Sequence, residues 1–207
     1  MSEAKKVGIL GGTFRPIHVG HLLMAETALD SFGLDCVLLM PNGNPPHKAL
    51  EDAEDCKHRM NMVMLATEGN DKFAPSSFEL QRTGVIYTYR TLELLKEEHP
   101  ETTYYFILGA DSLRDIPNWK FADKICQDAI LLVAVRGELD KKQVAKDITF
   151  LEQQYHAEIH VLDMPNVAIS STDIRERIRT GRSIRYLVPP SVETYLRKNH
   201  LYEKEKE

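Results

Sequence analysis

The sequence predicts an α/β fold in which a parallel sheet carries helices on both faces. Apolar runs of five or six residues recur at 36–40 (CVLLM), 104–108 (YYFIL) and 130–135 (ILLVAV) without polar alternation, as expected of strands buried on both faces. Segments with apolar residues at helical spacing lie between them. Strands and helices therefore alternate, and parallel neighbours need crossovers that are usually helical and right-handed.

The elements follow in order. Val7 to Leu10 reads as a first strand ending in Gly11-Gly12, and 20–32 places Leu22, Leu23, Ala25, Ala28 and Leu29 at helical spacing. The strand at 36–40 stops at the turn sequence PNGNPP. Helices are predicted at 57–68 and 88–98, with a weaker strand between Phe73 and Leu80. The strands at 104–108 and 130–135 precede a helix at 141–155 and a strand at 158–162. Two C-terminal helices, 171–180 and 190–199, complete the chain, and 203–207 reads as a frayed tail. With no repeat, low-complexity tract or Ser/Gly linker, 1–207 reads as one domain, with a core over about 5–168 and a helical extension over about 169–202.

Composition narrows the function. Twenty-six basic and 31 acidic residues give a formal net charge of −5, so no global positive field holds a nucleic-acid polymer. Cys36, Cys56 and Cys126 form no CxxC pair, which argues against a disulfide framework and a thiolate zinc site. No stretch approaches the ~18 apolar residues of a membrane span, and 7–10 is too short for a signal-peptide core. The expectation is a cytoplasmic protein with small-molecule partners and no membrane; a homo-oligomer is left open.

Ligands of such sheets sit beyond the C-terminal ends of the strands. The loop there after the first strand, GGTFRPIHVGH (11–21), runs into a helix whose first turn holds Gly20 and His21. Unpaired N–H groups and the helix dipole favour an anion at such a place. His18 and His21, three apart, can face one side of a turn and donate to phosphate oxygens. As a bare pair they fit equally a cap with a packed histidine, or metal ligation. The GxxxxGK[ST] loop has no match, and Gly8 to Gly12 does not satisfy GxGxxG, which disfavours a P-loop ATPase and a standard dehydrogenase. Later in the chain ISSTDIR (169–175) offers a second anion site. Ser170 or Ser171 can cap the helix, and Arg175 brings a forked cation one turn in.

GGTFRPIHVGH resembles the GTFDPxHxGH signature of the HxGH nucleotidyltransferase superfamily, with Arg15 where aspartate is usual. ISSTDIR is similar to that superfamily's ISSTxIR motif, ILGAD (107–111) to its strand-end GxD, and PNW (117–119) to its tryptophan loop. MPNGNPPHK (40–48) resembles the PPHK loop of the bacterial nicotinate-nucleotide adenylyltransferases. RTGVIYTYRTL (82–92) resembles their RxGxSYTxDTL segment, with Ile86 for serine and Arg90 for aspartate.

The resemblance implies a Rossmann-like sheet and adenylyl transfer from ATP to nicotinate mononucleotide, giving deamido-NAD and pyrophosphate, a step of NAD biosynthesis. It assigns catalysis to His18, His21 and Arg175. It assigns ATP to Gly11, Gly12, Thr13, Phe14, His18, Gly20, His21, Gly109, Asp111, Ile169, Ser170, Ser171 and Arg175. The mononucleotide falls to Gly12, Thr13, Asn42, His47, Lys48, Thr88 and Trp119, with Thr88 also expected to cap its helix. Mg²⁺ would enter on the ATP phosphates, with no protein metal site. The alternatives are an adenylyltransferase acting on nicotinamide mononucleotide or phosphopantetheine, a non-catalytic nucleotide sensor, and a metal-dependent hydrolase.

Overall fold

The computed structural model describes residues 5–43, 53–135 and 138–204. His47 and Lys48, expected at the mononucleotide, lie outside the described residues.

The backbone alternates as expected: β1 (Lys6–Gly12), α1 (Val19–Phe32), β2 (Cys36–Pro41), α2 (Ala53–Thr67), β3 (Phe73–Pro75), α3 (Thr88–Glu98) and β4 (Thr103–Gly109). Then come α4 (Ala110–Asp115), a 3₁₀ turn (Ile116–Asn118), α5 (Ala122–Asp128), β5 (Ile130–Ala134), α6 (Glu138–Tyr155), β6 (Ile159–Leu162), α7 (Ser171–Arg179) and α8 (Pro190–Lys198). All strand pairs are parallel, in the order β3-β2-β1-β4-β5-β6. Strand order reverses between β1 and β4, and a sheet of this order opens a ligand crevice at that point.

Side-chain alternation along the strands builds two cores. Leu10, Val37, Leu39, Tyr105, Ile107 and Leu132 face one layer with Ala25, Ala28 and Met62 of the helices. Ile9, Met40, Phe106, Leu108, Leu131 and Val133 face the other with Leu92, Leu113 and Ile125. Each strand thus feeds both faces, which is why its sequence shows no polar alternation.

Three local differences have physical causes. The strand expected between Phe73 and Leu80 pairs over only three residues, ending on Pro75 at the sheet edge, where proline cannot extend a ladder as donor. The stretch after β4, where the sequence marks no element, folds into α4 and the 3₁₀ turn. α4 spans under two turns and buries only Ala110 and Leu113, too few apolar positions to mark a helical repeat in the sequence. Thr88 does not cap α3: Tyr87 holds the extended N-cap conformation, φ −112° and ψ 142°, with no side-chain cap bond, and Thr88 is the first helical residue.

Candidate active site

The opening loop leaves β1 at Gly12 and enters α1 with His18 as its N-cap in extended conformation. The His18 carbonyl accepts from His21 N at 2.9 Å, and His18 N donates to His21 Nδ1 at 3.2 Å. The two rings stack, with centroids 3.6 Å apart. A Cβ at position 20 would stand 3.1 Å from His18 Nδ1, so glycine between the histidines lets the ring fold back over the helix start. An Nδ1 that accepts an N–H bears no proton, so neutral His21 carries its proton on Nε2 as a donor.

Far along the chain, Ser170 caps α7 by accepting from Asp173 N at 3.1 Å. This helix docks on the opening loop. Ser171 Oγ donates to Pro16 O at 2.9 Å, and Arg175 Nη1 to Arg15 O at 2.7 Å, while Arg175 Nη2 reaches Thr172 Oγ1 at 3.2 Å. Between them lies a cavity of about 560 Å³ lined by Thr13, Phe14, Arg15, His21, Ser171, Thr172 and Arg175. Two helix N-termini and a guanidinium therefore border one space, and the net field there favours anions.

A second cavity, of about 400 Å³, opens at the C-terminal ends of β1 and β4 and shares Thr13 and His21 with the first. It is lined by Gly11, Gly12, Asn42, Thr88, Gly109, Asp111 and Trp119, together with Met40, Glu79 and Ser112. Trp119 meets Phe106 edge to face, centroids 6.3 Å apart, which fixes its plane at the mouth. A larger groove of about 570 Å³ over α7 and α8 shares no residue with either cavity. Volume alone therefore does not mark the chemistry.

The structure brings most of the sequence-predicted residues to this edge, at different depths. His18 is 2% exposed and lines neither cavity; it supports His21 from beneath. Gly20, Ile169 and Ser170 also line neither cavity; Gly20 is buried, with Ile169 Cβ within 3.9 Å of a Cβ built on it, and Ser170 is exposed. Phe14 is buried at 1% exposure with its ring against His21, so its backbone is what it offers a ligand. Arg15 turns its guanidinium to Asp55 of α2, 3.3 Å away.

Sequence reasoning missed Arg59 and Glu79. Arg59, wholly buried on α2, donates to the carbonyls of Thr13 and Asn42 at 3.3 and 2.9 Å. The Glu79 carboxyl lines the second cavity, and burial pushes its pKa up against the opposing pull of bonds from Thr91 and Gly43 and of the Arg82 and Arg59 charges. A charged residue on a helix or loop normally reads as solvated surface, so no local signal marked either. Among the described residues no group of three His, Cys, Asp or Glu is placed to hold a metal. Among them, too, no helix is long and apolar enough to cross a membrane.

Comparison with known proteins identifies the family and the fold. The cytidylyltransferase-like family model matches residues 9–177. A protein of Synechococcus sp. (strain JA-3-3Ab) named "Probable nicotinate-nucleotide adenylyltransferase" is 44% identical over 200 residues, 97% of this chain and 96% of its own. One of the same name from Thermoanaerobacter sp. (strain X514) is 42% identical over the whole of this chain and 99% of its own. Among solved structures, the Plasmodium falciparum nicotinic acid mononucleotide adenylyltransferase complexed with NaAD superposes with a TM-score of 0.77 at 22% identity, covering 96% of this chain and 97% of that one.

Proposed function

The chain belongs to the cytidylyltransferase-like family and, within it, to the nicotinate-nucleotide adenylyltransferases, and from that premise we propose how its two joined cavities divide the substrates. The reaction is adenylyl transfer from ATP to nicotinate mononucleotide, giving deamido-NAD and pyrophosphate, a step of NAD biosynthesis. The observation that carries the reading is the sharing of Thr13 and His21 by a cavity beneath α7 and a cavity at the sheet switch point. A triphosphate in the first and a mononucleotide in the second would meet at His21.

The acceptor's phosphate needs no side-chain base, because a phosphate monoester with a second pKa of ~6 is largely dianionic at neutral pH. One of its oxygens attacks the α-phosphorus; a P–O bond forms there, the bond to the β-phosphate bridge breaks, and its electron pair leaves with pyrophosphate. Catalysis then consists of holding two anions in line and neutralising charge as it builds. His21 Nε2, Arg175 and the N-termini of α1 and α7 are the donors we assign to that task, with His18 as the ring that holds His21. Gly11, Gly12, Thr13, Gly109 and Asp111 are assigned to the nucleotide, and Asn42, Thr88 and Trp119 to the pyridine nucleotide. We take Mg²⁺ as the divalent ion, arriving as part of MgATP with phosphate and water ligands. We also take the chain as one domain working in the cytoplasm.

The test is pyrophosphate release from MgATP with nicotinate mononucleotide, nicotinamide mononucleotide and phosphopantetheine in turn. Release with the first at the highest kcat/KM is expected. Release only with phosphopantetheine, or ATP binding with no release from any acceptor, overturns the reading.

A further inference from the structure

We propose that Arg59 and Glu79 are positioning residues that clamp one peptide group, the unit joining Asn42 to Gly43, and so set the acceptor side of the cavity; this rests on the functional reading above. The carbonyl of that group belongs to Asn42 and accepts from Arg59 Nη1 at 2.9 Å. Its N–H belongs to Gly43 and donates to Glu79 Oε2 at 3.0 Å. In a trans peptide these two groups point in opposite directions. A buried cation therefore grips one edge of the plane and a half-buried carboxylate the other, both through charge-assisted bonds.

Each half of the clamp is anchored in turn. Arg59 Nε pairs with Asp55 Oδ2 one helical turn back, at 3.0 Å. Arg59 Nη1 also reaches Thr13 O, so the same guanidinium ties the β2 exit to the opening loop. On the other side, Glu79 Oε1 accepts from Thr91 Oγ1 of α3 at 2.8 Å. Gly43 fits because it has no side chain: a Cβ there would lie 2.8 Å from both Glu79 O and Ile86 Cδ1. Asn42 N meanwhile donates to Gly12 O at 2.9 Å. Asn42 is thus held on both its peptide groups, and its Oδ1 lies 3.5 Å from the place a Cβ on Gly11 would take, over the end of β1.

Fold maintenance alone is a poor account of this arrangement. Burying opposite charges is costly, and apolar replacements of similar volume are often neutral or stabilising. What apolar residues cannot do is orient a peptide by both of its edges at the lip of a binding cavity.

The experiment measures KM for nicotinate mononucleotide and for MgATP in the native chain and in Glu79→Ala, Glu79→Asp and Glu79→Gln. Glu79→Ala, which removes the oxygen that accepts from Gly43 N, is expected to raise acceptor KM about tenfold or more while ATP KM stays within about twofold, the split a lost acceptor-side contact produces. Glu79→Asp, which keeps the charge but shortens its reach, is expected to show the same split and decides the matter if the alanine variant does not fold. Glu79→Gln can still accept from Gly43 N with its amide oxygen and is expected to recover most of the lost acceptor affinity. Equal shifts in both KM values, or none, overturn the clamp while the functional reading stands. A native chain that releases no pyrophosphate with any acceptor overturns that reading and the clamp with it.

Discussion

Arg175 and Arg15 are 160 residues apart in sequence, yet the guanidinium of the first donates to the carbonyl oxygen of the second at 2.7 Å. The bond shapes the opening loop from the side of the late helix, and it uses one arm of the fork while the other reaches Thr172. A lysine keeps the charge but presents a single point rather than a rigid fork. Arg175→Lys should therefore lower kcat/KM for MgATP by at least roughly tenfold, because one ammonium cannot hold the loop carbonyl and a phosphate together. Steady-state kinetics at fixed acceptor check it, and an unchanged kcat/KM removes Arg175 from the site.

His21 and His18 should fail differently. His21→Ala removes a donor shared by both cavities and should lower turnover on the order of 10²-fold, as loss of a preorganised donor does. Its melting temperature should change little. His18 is buried, so His18→Ala should lower turnover by removing the ring stacked on His21 and also destabilise the fold by roughly 2–4 kcal/mol, as loss of a buried ring does. Pyrophosphate release and denaturant melts on both variants separate the two roles; native turnover in either variant contradicts its assignment.

How much of this was legible in the sequence depended on whether the signal was local. The runs at 36–40, 104–108 and 130–135 marked β2, β4 and β5 because strands buried on both faces leave no choice but continuous apolarity. The glycine and histidine loop and the serine-rich helix start were readable because each holds its donors within a few residues. Their meeting was implied by resemblance, and the Ser171–Pro16 bond supplies its geometry. Arg59 and Glu79 were illegible because what they do depends on a peptide 17 and 36 residues away, respectively. Thr88 was misread as a cap because a hydroxyl residue is favoured there by type, whereas the extended backbone belongs to Tyr87.

That correction sharpens the selectivity expected at α3. If its first N–H groups receive the acceptor's carboxylate, the preference for nicotinate over nicotinamide mononucleotide lives in the backbone, and Thr88→Ala should preserve it. Thr88→Pro deletes the N–H at the first helical position, where proline is tolerated. Tyr87 already has the extended conformation that a following proline requires. The native ratio of kcat/KM values should be at least roughly tenfold, and the proline variant should pull it toward unity, since a carboxylate gains more than an amide from such a donor. Equal ratios in the native, alanine and proline chains would place carboxylate recognition elsewhere.

The last prediction concerns the C-terminal turn, where Tyr202 packs against the opening loop. Burial pushes its hydroxyl up to about 12, with Asp55 adding to the rise and Arg15 and Arg175 opposing it. The folded chain thus keeps a proton that the unfolded chain releases from about pH 10. Between those two values the native state binds more protons than the unfolded one, so stability falls as pH rises. Tyr202→Phe should flatten this alkaline decline, and Arg15→Asp should steepen it, because the variant loses the cation that eases ionisation and sets a second carboxylate beside Asp55. Urea midpoints on either side of the ordinary tyrosine pKa of about 10 give the slope directly. Parallel declines in the native chain and Tyr202→Phe would show that this hydroxyl is not what fails first in alkali.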